Sequence, residues 1–212
     1  MSFTHLFQRY ELLVAKADQA FLKMKKDYGA FIKCKLHCSD CCHAVFGLFL
    51  IEAAYLQQHF NQLPRKETRA ALLRGKDSDK EWRELEERLK IHADDGQMAS
   101  YSLGRERVRC PLLSDRRECL LYVYRPITCR VYGIPLMIQG KAHACGKSGF
   151  KSGDHYPTFN LDEVQRELYL LSTELLDRAG RKDLGSASLL VSVSKAIKTP
   201  FEGLITGDIP SS

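Results

Sequence analysis

The chain has 212 residues, 44% hydrophobic and 27% charged, a length that suits one ordinary domain with its own core and is short for two. Those fractions exclude a disordered chain, and the longest uncharged apolar run, Ala44 to Ile51, is far below the roughly 20 residues that cross a bilayer. The formal charge of +6 is too mild to single out nucleic acid, and it leaves out eight cysteines, which as bound thiolates would more than cancel it.

The start, MSFTHLFQRYELLVAKADQ, lacks a basic leader region, and Glu11 and Lys16 break its apolar run, so a cytoplasmic protein is expected. In that reducing compartment eight cysteines point to metal ligation or redox work rather than structural disulfides. A secreted disulfide scaffold also has an even count, but the length and the missing leader speak against it.

From Leu6 to Tyr28, Leu6, Tyr10, Leu13, Ala17, Phe21, Met24 and Tyr28 recur at spacings of three and four, which predicts an amphipathic helix ended by Gly29. A second, buried helix is expected from about Leu48 to Phe60, with Phe49, Ala53, Leu56 and Phe60 on one face and Asn61 to Pro64 closing it. Arg65 to Arg74 reads as a short helix stopped by Gly75. Ser78 with Glu81 then resembles a capping box opening another helix with Trp82, Leu85 and Leu89 inward. The pairs Asp79 with Arg83, Glu84 with Arg88 and Glu86 with Lys90 have the favourable acid-first spacing and read as a solvated face. Asp94, Asp95 and Gly96 signal a turn, with no assignment through Leu103.

Arg109 to Gly149 differs in kind, carrying Pro111, Pro126, Pro135 and four of the cysteines. Loops and one or two short strands organised by a metal are expected there. Lys151 to Thr158 is a further loop. Asn160 with Glu163 predicts a cap for a helix with Leu161, Val164, Leu168, Leu171 and Leu175 inward, ending near Gly180. A last helix is expected from Ser186 to Lys198, and a frayed tail after Pro200.

The chemistry gathers in CKLHCSDCC, which places Cys34, Cys38, Cys41 and Cys42 within nine residues. Thiolates are soft donors that select zinc, copper(I) or iron–sulfur clusters. Cys110, Cys119, Cys129 and Cys145 supply a distant second group, so the expected metal-binding segments are 34–42 and 110–145. Adjacent side chains usually point apart, so either Cys41 and Cys42 serve two metals or one is a spare thiol beside a single cluster. Only Cys38 with Cys41 makes a C-x2-C pair, so zinc-ribbon spacing is missing, as is the bacterial ferredoxin run. Cys34, Cys38 and Cys41 have the C-x3-C-x2-C spacing of radical S-adenosylmethionine enzymes, but Asp40 replaces the usual aromatic and no strand–helix units follow.

CKLHCSDCC, followed by CPLL (110–113), CLLYVYRPITCRVYG (119–133) and CG (145–146), resembles the YkgJ-type family of cysteine-cluster proteins, the CxxCxxCC domains described as zinc- or iron-chelating. Three residues separate Cys34 from Cys38, where the family's short name has two. The resemblance implies bound metal, an iron–sulfur cluster (4Fe–4S among the candidates) ahead of zinc. It implies no single activity; the best-known relative is a flagellin lysine N-methylase.

Arg125 and Arg130 are candidates to donate hydrogen bonds to cluster sulfurs, tuning the potential, with an ordinary salt bridge the alternative for Arg125. His37, His43 and His143 sit near cysteines and could replace a thiolate, though solvent-facing histidine is the simpler reading. Arg105, Arg107, Arg109, Arg116 and Arg117 add positive charge around the second group, and Tyr122, Tyr124 and Tyr132 among these arginines do not require nucleic acid. The expectation is a mainly α single domain over 1–212, with an irregular cysteine-rich region wrapped round a metal or iron–sulfur site and an unidentified redox or protein partner. An iron–sulfur protein for electron transfer or protein modification competes with a structural zinc module presenting a partner surface and with a thiol redox sensor. No catalytic residue is assigned, since neither a Gly-rich nucleotide loop nor a Ser/His/Asp order is found.

Overall fold

The computed structural model describes residues 3–35, 37–90, 106–151, 153–181 and 184–206. It is mainly helical: α1 (Thr4–Tyr28), α2 (Leu50–Phe60), α3 (Arg65–Lys90), α4 (Ile127–Val131), α5 (Leu161–Arg178), α6 (Val193–Lys198) and α7 (Phe201–Thr206), with 3-10 turns at Asp40–Cys42 and Leu184–Ser188. Strands β1 (Leu136–Ile138), β2 (Lys141–His143) and β3 (Phe159–Asn160) form one small sheet in the order β2-β1-β3. By their contacts the residues divide into two compact units. Among the described residues no helix is long and apolar enough to cross a membrane.

The first unit comprises residues 1–38, 49–52 and 125–189. The α1 stripe is real: Leu6, Tyr10, Ala17 and Met24 are buried, while Leu12 and Leu22, off the stripe, are exposed. Burying a side chain the size of Leu6 or Tyr10 contributes roughly 1.5–3 kcal/mol, which is what holds α1 against α4 and α5. The Asn160 side chain caps α5 by accepting from the Glu163 N–H, as its spacing predicts. The hairpin of β1 and β2 turns at Gln139 and Gly140, both at positive φ, and the Asp162 carboxylate accepts both of their N–H groups at 2.8 and 3.1 Å. Strand β3 lies parallel to β1 and leads directly into α5.

The second unit comprises residues 39–48, 53–124 and 190–212. Here Gly75 corrects the expected helix stop, because α3 runs unbroken through it from Arg65 to Lys90. The glycine is used for close approach instead: a Cβ there would stand 2.9 Å from Ser194 Oγ and from Lys198 Cε. Ser194 Oγ donates to the Gly75 carbonyl, fastening α6 onto α3. Ser78 is therefore not a helix cap, and its hydroxyl lies within hydrogen-bonding distance of the Arg74 and Arg109 carbonyls. Asp79 pairs with Lys198 and Arg88 with Glu106, so these residues reach across to other segments. The side chains of Leu89 and Lys90, and the turn expected at 94–96, lie outside the described residues.

The helix expected from Ser186 to Lys198 is also corrected. It breaks into the 3-10 turn and α6 because Val191 pairs with Leu48 in an antiparallel bridge, after which the Ser192 side chain caps α6. Of the tail expected to fray after Pro200, residues 201–206 form helix α7, anchored by fully buried Leu204, and residues 207–212 lie outside the described residues.

Candidate metal centre

In the second unit the backbone brings three cysteine-bearing segments together. Residues 42–44 run antiparallel to 107–110: Cys42 O accepts from Cys110 N at 2.7 Å, His43 O accepts from Val108 N at 3.1 Å, and Ala44 bridges Arg107. Residues 113 and 119 pair across a tight loop in which Ser114 N donates to Glu118 O, and Arg117 takes positive φ. Cys110 and Cys119 are thus carried on the two arms of one excursion, facing the turn that holds Cys41 and Cys42.

Within that 3-10 turn, closed by Cys42 N donating to Ser39 O, the thiols of adjacent Cys41 and Cys42 are hydrogen-bonded to each other. The Cys42 thiol is pushed far above its ordinary range, first by that bond, then by burial, then by the charges of Cys41, Cys110 and Cys119. Burial first, and then the charge of Cys119, pushes Cys110 up to about 12. Burial and neighbouring thiolate charge thus hold Cys42 and Cys110 protonated, and a bound cation would reverse both effects by turning repulsion into shared attraction. Among the described residues no group of three or more His, Cys, Asp or Glu side chains is placed to hold a metal ion, and thiols bind metal only once deprotonated.

The remaining cysteines belong to the first unit. Cys34 lies against Gly133, where a Cβ would fall on the Cys34 Sγ. Gly133 follows α4, the short helix that carries Cys129 after Pro126. Cys145 O accepts both the N–H (2.8 Å) and the hydroxyl (2.6 Å) of Ser148, and the next residue, Gly149, donates its N–H to Phe31 O at 2.7 Å. Segments 31–34, 129–133 and 145–149 are thereby held side by side, and Phe31 stacks on Phe150 while Tyr156 meets Tyr28 and Phe150 edge-on in one aromatic cluster. Cys34 is exposed, whereas Cys38, Cys129 and Cys145 are half-buried.

Arg130, next to Cys129, is buried and commits Nη1 to Asp18 at 2.7 Å and Nε to the Arg125 carbonyl at 2.9 Å. Of the histidines, His43 places Nδ1 2.9 Å from Ser39 O, His143 is exposed on β2, and His37 is exposed at positive φ.

The profile of the CxxCxxCC family, described as a "putative zinc- or iron-chelating domain", matches residues 33–146, more than half of the chain. The chain belongs to this family. The match takes in every cysteine, from Cys34 to Cys145. No curated protein and no solved structure matches the chain.

One residue the sequence reading missed is Glu52, buried in α2. Its carboxylate accepts from Ile127 N at 3.1 Å and Phe49 N at 3.4 Å, and from Tyr10. Glu52 therefore caps the N-terminus of α4, the helix that presents Cys129. Desolvation outweighs these bonds and raises its pKa to about 7. The available signal was an acid inside the apolar run FLIEAAYL.

Proposed function

We propose that this metal-chelating chain holds an iron–sulfur cluster and works in electron transfer or as the cluster-bearing part of a protein-modifying enzyme. The observation that carries this is the backbone pairing that brings the segments of Cys42 and Cys110 side by side and closes the loop ending at Cys119, without the paired C-x2-C spacing of a zinc ribbon. Thiols gathered from a tight turn and a distant loop suit a cluster, which needs several thiolates around one buried volume. The cysteines of 34–42 and 110–145 would hold it, and when bound it would supply one-electron chemistry. Arg125 and Arg130, on either side of Pro126 and Cys129, would set the charge around the thiolates. A reducing, cytoplasmic setting and a protein redox partner complete the reading.

Exposed Tyr122 and Val123, three and four residues after Cys119, favour a second reading, in which zinc staples the loops that present a partner surface. The deciding experiment is anaerobic purification followed by iron, zinc and acid-labile sulfide analysis and a visible spectrum on one sample. Iron with sulfide and a brown colour is the expected result. A colourless protein with stoichiometric zinc overturns the proposal in favour of the structural module, and a metal-free protein leaves a thiol redox sensor.

A further inference from the structure

We infer that the first unit carries a lysine-rimmed aromatic face that docks a partner protein through an acidic surface of that partner. The inference rests on the one-electron reading above and names the surface through which the proposed redox partner reaches this chain.

The charge of the chain is gathered at this face. Residues 23–35 and 141–156 together hold eight lysines against Asp27 and Asp154, a surplus equal to the whole formal charge of +6, so the rest of the chain is neutral by count. All eight lysines are exposed. Both segments belong to the first unit, and the fold fastens them together. Gly149 donates its N–H to Phe31 O at 2.7 Å, Phe31 stacks on Phe150 with ring centroids 5.6 Å apart, and Tyr156 meets Tyr28 edge-on at 5.9 Å. Asp154 accepts from the Tyr156 hydroxyl at 2.8 Å, which commits one of the two acids to the cluster.

The four rings are half-buried and make an apolar floor. Lys25 lies in the last turn of α1, three residues before Tyr28; Lys33 and Lys35 follow Phe31, and Lys147 and Lys151 bracket Phe150. An apolar centre with a charged rim is the layout of a protein interface, and exposed lysines steer an oppositely charged partner before contact. Exposed Cys34 stands between Lys33 and Lys35, and half-buried Cys145 two residues before Lys147, so the face adjoins metal-binding segments of the matched family region. Electron-transfer encounters are small and transient, governed by charge more than by area.

Nucleic acid and membrane fit this face less well. Neither segment contains an arginine, the side chain whose planar fork suits phosphate. Phe31 and Phe150 each cover one face of the other, which reduces the platform on which a base could stack. Half-buried rings packed on one another also leave little to insert into lipid.

The test uses the full chain, purified anaerobically, and follows binding of a fluorescein-labelled glutamate–tyrosine copolymer by anisotropy, with labelled oligo-dT and phosphatidylserine vesicles in parallel. The copolymer should bind, and more weakly as salt rises. Lys25→Glu, Lys33→Glu and Lys151→Glu combined should weaken binding by about tenfold or more. Lys66→Glu, Lys76→Glu and Lys80→Glu combined, an equal charge change on exposed lysines of α3, should shift it by about twofold or less. Equal weakening by both triples, no binding of the copolymer, or tighter binding of oligo-dT or vesicles would each overturn the inference. Should the first triple misfold, carbodiimide cross-linking of wild-type protein to the copolymer decides instead. Cross-links concentrated on Lys25, Lys33, Lys35, Lys147 and Lys151 support the face, and an even spread over the exposed lysines sinks it. Metal and acid-labile sulfide, measured on the same preparations, test the iron–sulfur reading separately. Binding by zinc-loaded or metal-free protein keeps the face while that reading falls, and a brown protein that ignores the copolymer overturns the face alone.

Discussion

Arg130 Nη1 donates to Asp18 Oδ2 at 2.7 Å, joining the residue beside Cys129 to the middle of α1. The guanidinium side chain is 6% exposed and the carboxylate 40%, so only one partner is truly removed from water. An Asp18→Ala change leaves a buried cation without its counter-charge. It should lower stability by about 1–3 kcal/mol, less than a fully buried pair because water reaches Asp18. Asp18→Asn, which keeps an acceptor, should lose less. Urea unfolding of the two variants checks this, and equal losses would show that an uncharged acceptor at position 18 contributes nothing and that the lost charge accounts for the whole effect.

Glu52 makes stability depend on pH in a direction opposite to most carboxylates. Its pKa rises from an ordinary 4.5 to about 7 in the fold, so between these values the folded protein keeps a proton that the unfolded chain releases. Its contribution is full below about pH 4.5 and is lost as pH climbs to about 7, by about 3 kcal/mol at most. Glu52→Gln should flatten that slope. Chemical unfolding of both proteins from pH 5 to 8 measures it, and an unchanged slope in the glutamine variant would assign the effect to another group.

Gly133 leaves room for Cys34 and for nothing larger. A methyl group there would fall on the Cys34 Sγ and stand 3.4 Å from Phe21 Cε2, so Gly133→Ala should cost about 1–3 kcal/mol through overpacking. It should also displace Cys34. Alkylation of the metal-free protein should speed up at Cys34 and stay unchanged at Cys42; the same rate at Cys34 would mean that the chain shifts instead.

Trp82 lies in the second unit, where with Phe46, Gly47 and Leu190 it lines a cavity of about 260 Å³. Trp82→Ala should enlarge this space and cost about 1–3 kcal/mol, below the range for a fully buried aromatic because Trp82 is only half-buried. Metal content should be nearly unchanged. A parallel fall in metal would instead tie this cavity to the thiols.

The amphipathic stripes of α1 and α5 were legible because burial there follows a local period, and Asn160 because a cap is a three-residue device. Gly75 was misread because its low helix propensity is visible locally, whereas the close approach of Ser194 that calls for it is not. The break before α6 was hidden in the same way, since it depends on Leu48 pairing with Val191. The cysteines announced their chemistry by number and type. Which segments the fold brings together was beyond reach, because spacing speaks of neighbours along the chain, whereas Cys42 and Cys110 are joined by the pairing of 42–44 with 107–110.

The chain's repeated crossing between units has a consequence for biosynthesis. Cys34, Cys38, Cys41 and Cys42 leave the ribosome early, yet Cys119 and Cys145, which belong with them in their respective units, follow much later. At about 5–20 residues per second, roughly 80 to 110 residues of translation leave the early thiols waiting on the order of 4 to 20 seconds. During that interval a nascent chain displays four naked sulfhydryls with their eventual neighbours still unmade, so oxidant exposure and stray soft metals are most damaging before the polypeptide is finished.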